Sequence, residues 1–313
     1  MRVLDLFCGA GGLSLGFRDA GFAVTGADIN PHSAEIYSTN NIGKYLEIDL
    51  ARDSVAGTFD VVIGGPPCRP WSNINRQKRG SLHPDYSLLE RFFDHVFELR
   101  PRAFILENVP PLRSDKKFRS LVDKAFNEGY SVTSQSLKYL DFGVATRRRR
   151  LFTVGFRDFG LNASDFFIRL KQLTETPLTV GQVIRKYEGY AEEELPDHEW
   201  PHLKTIGRYQ SYYESGKYGW SKLKYDEYAP SFGNIMKTYI LHPRAGEEGF
   251  PLRVLSVREA LAIMGFPEEF RFPSGMGHGI KYQMVANAVS PVAAQKMAQV
   301  VREMFERWNY TRS

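Results

Sequence analysis

The chain has 313 residues, of which 42% are hydrophobic and 25% charged, a composition typical of soluble globular proteins. Its formal net charge of +5 at pH 7 is compatible with a polyanionic partner but does not by itself require one. No apolar run approaches the roughly 20 residues that span a membrane, so we expect a cytoplasmic protein without a membrane partner.

Short apolar runs alternate with helix-like stretches from the first residues to Phe156. The predicted strands are Val3–Phe7, Ala23–Ala27, Tyr45–Ile48, Phe59–Ile63, Ala103–Leu106, Val132–Tyr139 and Leu151–Phe156. Apolar residues recur at helical spacing from Leu88 to Phe97 and from Phe118 to Phe126. This alternation predicts an α/β fold whose mixed, mostly parallel sheet is covered by helices on both faces.

The regular pattern dissolves from about Asp165 to Pro251, where Tyr, Glu, Lys, Gly and Pro are frequent. Periodicity returns at Ser256–Met264 and at Gln283–Trp308, and the second segment predicts one long terminal helix. We therefore predict a larger domain over residues 1–164, completed by residues 280–313. A smaller, irregular domain is predicted over residues 165–279.

A glycine-rich turn follows the first strand, with the sequence Asp-Leu-Phe-Cys-Gly-Ala-Gly-Gly-Leu at residues 5–13. Glycines let a backbone turn tightly and approach a ligand closely. Asp28 ends the next strand, where a carboxylate is placed to accept hydrogen bonds from ribose hydroxyls. The pattern predicts a nucleotide-like cofactor and suits a dinucleotide equally well. A glycine turn without a ligand is the alternative.

The second motif is Gly-Gly-Pro-Pro-Cys at residues 64–68, directly after a predicted strand. The prolines fix the backbone, so Cys68 is held at the sheet edge where open α/β sheets bind ligands. Arg69 follows and favours the thiolate electrostatically. We predict that Cys68 is a nucleophile, with an inert turn cysteine as the alternative. Since Cys8 is the only other cysteine and fits a small buried hydrophobe, we expect neither a disulfide framework nor a metal site.

Glu107, Asn108 and Val109 form the third motif, at the end of the strand predicted over Ala103–Leu106. A carboxylate at the same sheet edge as a thiol makes a nucleophile and acid pair. Partial burial would raise the pKa of Glu107 and let it hold a proton near neutrality. The alternative is a carboxylate that merely satisfies hydrogen bonds at the strand end.

The fourth motif is Thr-Arg-Arg-Arg-Arg at residues 146–150, running into the last predicted strand. Alternation along a strand predicts that Arg148 and Arg150 point to one side and Arg147 and Arg149 to the other. One pair then faces the proposed site, and the other meets phosphate or a carboxylate.

These motifs, in this order, resemble those of the DNA cytosine-C5 methyltransferase family, in particular its restriction-modification type. The resembling segments are Asp5–Phe17, Gly64–Ser72, Glu107–Val109, Thr146–Arg150, Ser256–Phe270 and Gln283–Ala294. They span nearly the whole chain except about residues 165–235. The sequence departs from the commonest family pattern, without losing a reacting group, at Asp28, Arg69, Trp71, Pro111, Thr146, Ala286 and Ser290.

The resemblance implies a Rossmann-like S-adenosylmethionine-dependent methyltransferase fold, with S-adenosylhomocysteine as the product. In this family's arrangement, Phe7 stacks near the adenine, Asp28 binds the ribose and Asp49 meets the adenine amino group. Asn287 and Val289 close the cofactor site. The full set of implied cofactor residues is Phe7, Gly9, Gly11, Gly12, Leu13, Asp28, Ile29, Asp49, Leu50, Pro66, Asn287 and Val289.

The implied reaction is methylation of C5 in a cytosine that is flipped out of double-stranded DNA. The implied catalytic residues are Cys68, Glu107, Asn108, Arg148 and Arg150. Cys68 adds to C6, Glu107 holds N3, Arg150 meets O2 and Arg148 orients the site. The loop Ser72–Ser87 is expected to close over DNA, with Gly80 as its hinge and with basic residues Arg76, Lys78 and Arg79.

Residues 165–255, read as part of the target-recognition domain, are expected to contact DNA through several basic side chains. The protein is expected to be a monomer in a prokaryotic cytoplasm, linked in function to a cognate restriction endonuclease. A tRNA cytosine-C5 methyltransferase of the same fold is the first alternative. A non-catalytic binding module and a dinucleotide oxidoreductase are the others, but neither gives a role to Cys68 and Glu107 together.

Overall fold

The structure, a computed structural model, describes residues 1–72, 80–157, 160–208 and 210–310, with side chains described as far as Arg307. The chain divides into two units. Unit 1 comprises Met1–Lys138, Arg149–Thr174 and Ala293–Ser313, and unit 2 comprises Tyr139–Arg148 and Glu175–Val292.

The sheet of unit 1 has seven strands among the described residues. They are β1 (Arg2–Leu6), β2 (Ala23–Asp28), β3 (Lys44–Glu47), β4 (Val61–Gly64), β5 (Ala103–Asn108), β6 (Ser131–Lys138) and β7 (Arg149–Phe156). Their order is β3-β2-β1-β4-β5-β7-β6, and β7 alone runs antiparallel to its neighbours. Each predicted strand lies within two residues of an observed one, so the mixed, mostly parallel sheet is confirmed.

Helices cover the sheet of unit 1, and short elements build unit 2. The described helices are α1 (Gly12–Asp19), α2 (Pro31–Thr39), α3 (Leu88–Leu99), α4 (Lys116–Asn127), α5 (Ala163–Gln172), α6 (Val180–Ile184), α7 (Gln210–Ser215), α8 (Val257–Ile263), α9 (His278–Asn287) and α10 (Pro291–Tyr310). Two further strands, β8 (Ser221–Lys222) and β9 (Ile240–Leu241), pair in parallel within unit 2. Among the described residues, no helix combines the length and the apolar character needed to cross a bilayer.

The core of unit 1 forms where α3 packs on the central strands. Every residue of β4 and β5 is buried, as expected for central strands that are covered on both faces. Phe104 on β5 meets Phe92 and Phe93 of α3 edge-on, with ring centroids 6.3 and 5.8 Å apart. Such aromatic packing holds the strand ends, and whatever side chains they carry, in fixed positions.

Two details of the predicted helical pattern are wrong. The segment Gln283–Trp308 is not one helix, because Ala288 is extended (φ −63°, ψ 150°) and the residue before Pro291 disfavours helical geometry. A ten-residue helix, α5, begins just before the stretch predicted to be irregular, and its apolar face is buried. Phe126 lies within α4, as its helical spacing predicted, and its side chain is 70% exposed.

Gly16 marks a close approach between α1 and α10. A Cβ atom at Gly16 would lie 2.4 Å from the backbone nitrogen of Gln295 and 2.5 Å from Cβ of Ala294. Backbone atoms cannot swing aside as a flexible side chain does, so only glycine permits this contact.

Gly16→Ala is therefore expected to destabilise the protein by about 1–3 kcal/mol through overpacking. Helix propensity alone predicts the opposite sign, a gain of about 1 kcal/mol. Gly189→Ala is the control, since nothing lies within 4 Å of its Cβ position. Thermal unfolding midpoints decide between overpacking and helix propensity. A midpoint for Gly16→Ala at or above that of the wild type would contradict the close approach.

Candidate active site

The carboxyl edge of the sheet gathers most of the predicted site residues of unit 1. Strand order reverses at β1, which lies between β2 and β4, and such switch points are where open α/β sheets bind ligands. Phe7 directly follows β1 in left-handed backbone geometry (φ 59°), and its N–H donates to the carbonyl of Ala27 over 2.9 Å. Gly9 and Gly11 are left-handed too, with φ of 50° and 75°. The predicted glycine turn is thus confirmed as a turn.

Asp28 braces this turn from the end of β2. Its Oδ2 accepts the N–H of Gly9 over 2.9 Å, and its Oδ1 accepts the N–H of Asn30 over 3.0 Å. Burial raises the pKa of Asp28, while those two N–H groups act in the opposite direction. Each carboxylate oxygen has a further lone pair, so the predicted ribose contact is compatible with the bracing bonds.

The other predicted cofactor residues divide between the two units. Gly12 and Leu13 are buried at the start of α1, Leu50 is buried, and Ile29 is 61% exposed. Asp49 lies two residues beyond β3, where its Oδ1 accepts the N–H of Ala51 over 3.0 Å.

Asn287 and Val289 belong to unit 2. Their part in closing the cofactor site stays a prediction.

A buried polar chain that the sequence pattern did not predict lies beside the glycine turn. Tyr37 donates its hydroxyl to Oγ of Ser14 over 2.6 Å, and Ser14 donates to Oδ2 of Asp5 over 2.7 Å. Asp5 is 1% exposed, and burial raises its pKa to about 7, with the negative charge of Asp28 adding to the shift. Cys8 is buried, as predicted.

The turn that carries Cys68 follows β4 and is held by main-chain bonds. The carbonyl of Cys68 accepts the N–H groups of Trp71 and Ser72, each over 3.0 Å, and Cys68 itself is half-buried. Asn108 at the end of β5 donates its Nδ2 to the carbonyl of Pro66 over 3.0 Å. Asn108 therefore ties the Glu-Asn-Val segment to the Pro-Cys turn, a role for which sequence spacing gave no signal.

Glu107 and Arg150 form an ion pair at the same edge. Oε1 of Glu107 lies 2.9 Å from Nε of Arg150, and the side chains are 10% and 13% exposed. The pair joins β5 to the start of β7, which are adjacent antiparallel strands. A Cβ atom at Gly65 would lie 2.9 Å from Oε2 of Glu107, so the carboxylate packs against the backbone three residues before Cys68. The predicted meeting of the cysteine turn and the carboxylate is thus seen in the fold.

The arginine run alternates as predicted, with Arg147 and Arg149 exposed and Arg148 and Arg150 largely buried. Arg148 belongs to unit 2, where its Nη2 donates to the carbonyl of Ala286 over 2.6 Å. This bond fixes the backbone next to Asn287, so Arg148 braces the predicted cofactor segment.

Thr146, at the position where the family commonly has glutamine, is fully buried in unit 2. Its hydroxyl contacts the carbonyls of Ala229 and Pro230, each over 3.2 Å. The threonine therefore fastens the start of the arginine run to the predicted recognition region.

The loop predicted to close over DNA is described only in part. Arg76, Lys78 and Arg79 lie outside the described residues. Gly80 is left-handed (φ 60°), and its N–H donates to the carbonyl of Pro70 over 2.9 Å. Two 3₁₀ turns, Gly80–Leu82 and Pro84–Ser87, lead into α3. The hinge role of Gly80 stays a prediction.

The sheet order, the glycine turn with its acidic strand end and the presented cysteine define a Rossmann-like methyltransferase fold. The family model of the C-5 cytosine-specific DNA methylases matches residues 1–303. The chain therefore belongs to that family. Among the described residues, no cluster of side chains is suited to hold a metal ion.

Relatives of this chain match it over nearly its full length. It is 30% identical to the Type II methyltransferase M.FnuDI of Fusobacterium nucleatum, with 97% of this chain and 94% of the relative covered. It is also 30% identical to the Type II methyltransferase M.MthTI of Methanothermobacter thermautotrophicus, with 98% of each chain covered. The solved structure of the S. pombe Dnmt2 methyltransferase shares the fold, with a TM-score of 0.73 at 20% identity and 99% coverage of each chain.

Asp5 should make stability depend on pH in a direction opposite to that of most acidic residues. Its folded pKa of about 7 lies above its ordinary value of 3.8, so the folded protein holds this proton more tightly than the unfolded chain. The stabilisation is complete below pH 3.8 and is lost as the pH rises through 7. Between pH 5 and pH 8 we expect the wild type to lose about 2–3 kcal/mol relative to Asp5→Asn.

Urea unfolding at several pH values measures this difference. Asp123→Asn, at an exposed position on α4, serves as the matched control and should follow the wild type. If the free energies of unfolding of Asp5→Asn and the wild type differed by the same amount at every pH, Asp5 would not be the group that binds a proton on folding.

Proposed function

We propose that this protein methylates C5 of a cytosine within a specific sequence of duplex DNA, with Cys68 as the nucleophile and S-adenosylmethionine as the methyl donor. The observation that carries the proposal is the placement of Glu107, paired with Arg150, against the backbone of the turn that presents Cys68. That arrangement, in a chain of the C-5 cytosine-specific DNA methylase family, supplies a nucleophile and a carboxyl group for one pyrimidine ring.

Carbon C5 of cytosine is a weak nucleophile, and addition of the Cys68 thiolate to C6 removes that obstacle. The new S–C6 bond sends an electron pair toward C5, and Glu107 stabilises the ring by sharing a proton with N3. The bound cofactor supplies an electrophilic methyl group. A base then removes the C5 proton, the electron pair returns to form the C5–C6 double bond, and the thiolate leaves. Covalent catalysis thus divides one difficult step into easier ones.

The turn after β1 fits a nucleotide-like cofactor. Nothing lies within 4 Å of a Cβ position at Gly9, so the left-handed turn leaves room for a ligand beside its backbone. Ile29 offers an exposed apolar surface next to Asp28, and a bound adenosine would cover it. Phe7, Asp28 and Asp49 would hold the adenosine, with Asn287 and Val289 closing the site from the terminal segment.

Sequence recognition is assigned to unit 2. The candidate basic side chains are Arg185, Lys186, Lys204, Arg208, Lys217, Lys222, Lys224, Lys237 and Arg244. Lys186 and Lys224 pair with Glu268 and Glu227, so their charges are partly neutralised.

Lys217 differs from those two lysines. It lies over the ring of Tyr218, which is 71% exposed and left-handed (φ 58°). An exposed aromatic side chain beside a cation suits contact with bases and phosphate. We therefore assign Lys217 and Tyr218 to DNA contact.

A target carbon is inaccessible inside a stacked duplex, so the cytosine must leave the helix at a cost of about a few kcal/mol. The loop Ser72–Ser87 is assigned to this step.

The chemistry needs one copy of the chain, and a monomer is proposed. A cognate restriction endonuclease would cleave the same sequence where it is unmethylated, without physical contact with this chain.

A tRNA cytosine-C5 methyltransferase would use the same catalytic residues. The match to the DNA methylase family model and the Type II methyltransferases among the relatives favour DNA. Parallel methylation assays on duplex DNA and on tRNA distinguish the two substrates.

Wild-type protein is expected to form a covalent adduct with duplex DNA that contains 5-fluorocytosine in its recognition sequence, because fluorine at C5 blocks the final proton loss. Cys68→Ser should form no adduct and lose activity on the order of a thousandfold or more, since serine is a far weaker nucleophile. Transfer of a labelled methyl group and denaturing gels measure both. Methylation of tRNA in place of DNA, or active protein that yields no adduct, would contradict the proposal.

Glu107→Gln is expected to lower the rate constant of methyl transfer by about 10²–10⁴, because the amide cannot share a proton with N3. Affinity for duplex DNA should change little. Glu128→Gln is the control, since it breaks an exposed ion pair with Arg100 (3.1 Å), and such pairs contribute about 0–1 kcal/mol. Single-turnover kinetics and a DNA-binding titration separate the two quantities, and equal rates for both variants would exclude Glu107 from the chemistry.

A further inference from the structure

Asp115 accepts hydrogen bonds from three separate parts of unit 1. It caps α4, where Oδ1 accepts the N–H groups of Lys117 over 2.8 Å and Phe118 over 3.1 Å. Its Oδ2 accepts the indole N–H of Trp71 over 2.9 Å. The hydroxyl of Tyr86 donates to the same carboxylate, 3.0 Å from Oδ1 and 3.2 Å from Oδ2. One half-buried side chain therefore joins a helix start to two distant segments.

Trp71 connects this carboxylate to the cysteine turn. Its backbone N–H donates to the carbonyl of Cys68 over 3.0 Å, and its side chain is only 7% exposed. The indole also packs against the ring of Tyr86, with centroids 5.5 Å apart. Because the indole is fixed on both its edge and its face, its backbone is fixed as well, and with it the turn that begins at Cys68.

Tyr86 fastens the other end of the same stretch of chain. It lies in the 3₁₀ turn Pro84–Ser87, immediately before α3. Trp71 and Tyr86 thus bring the two ends of the stretch between them to one carboxylate. Residues 73–79, between these two anchored ends, lie outside the described part of the chain.

Helix capping alone does not explain these contacts. A cap needs one acceptor, which serine, threonine or asparagine supplies as well as aspartate. The second oxygen of Asp115 accepts the indole N–H of Trp71, a contact that capping does not require. The indole N–H of Trp71 and the second oxygen of Asp115 therefore form a donor–acceptor pair beyond the helix cap.

We propose that Asp115 is a positioning residue for the nucleophile, which holds the Cys68 turn in place through Trp71. The proposal deepens the proposed function and rests on it for its kinetic consequence. Asp115 touches neither substrate nor reacting atoms in this role. Its loss should slow formation of the S–C6 bond while leaving cofactor and DNA affinity unchanged.

Asp115→Asn tests this link selectively. The asparagine Oδ1 still caps α4, and its Nδ2 still bonds to the Tyr86 oxygen, but it faces the indole N–H of Trp71 with a second donor. We expect the single-turnover rate of adduct formation with 5-fluorocytosine DNA to fall about tenfold. The dissociation constants for DNA and cofactor should stay within about twofold.

Trp71→Phe tests whether Asp115 acts through the indole. Removing the indole N–H removes the clash of donors, so Asp115→Asn should have no further effect on the rate in the Trp71→Phe background. Asn162→Ala, which removes the cap of α5 (2.9 Å to the N–H of Ser164), controls for loss of a helix cap and should lower the melting temperature without changing the rate. Additive effects of Asp115→Asn and Trp71→Phe, or an unchanged rate in Asp115→Asn, would overturn the proposal.

A second readout does not depend on methyl transfer. Alkylation of Cys68 by iodoacetamide should become at least about threefold faster in Asp115→Asn, because a loosened turn exposes the thiol more often. Buried Cys8 is the internal reference within each sample. Wild type that alkylates normally but makes no adduct would refute the proposed function alone, whereas equal alkylation of Cys68 in both proteins would refute the positioning role of Asp115.

Discussion

The ion pair between Glu107 and Arg150 is the contact on which the site depends. It joins the end of β5 to the start of β7, the only strand that runs against its neighbours in the described sheet. Because β7 is antiparallel, its first residues reach the edge where the parallel strands end. A parallel strand at this place would present its last residues there instead. The reversed strand therefore brings an arginine to a largely buried carboxylate, whose charge it offsets.

Much of the architecture follows from the sequence because its strands are short, apolar and separated by clear turn signals. Each observed strand of the main sheet lies within two residues of its predicted position, and the carboxyl edge gathers the glycine turn, the cysteine turn and Glu107. Ordered motifs locate such an edge well, since every parallel strand ends on it. The break between α9 and α10 was missed because apolar periodicity continues through it, and Pro291 outweighs that periodicity.

The contacts that hold the site were harder to predict, because they join residues far apart in the chain through single polar atoms. Asn108 donates to the Pro66 carbonyl, and Arg148 donates to the Ala286 carbonyl. A main-chain acceptor leaves no trace in the identity of its own residue. A side-chain donor such as Trp71 can be recognised in the sequence. Its acceptor, Asp115, can be identified only in the fold.

The glycine contact between α1 and α10 has an energetic consequence. Helix α1 begins at the end of the glycine turn, and its Gly16 lies against the backbone of Gln295 in α10. A ligand that ordered the turn would act on α1, and through Gly16 on the surface against which α10 packs. If such a ligand stabilised the packing of α10, that packing would favour the ligand by the same free energy, because linkage is reciprocal.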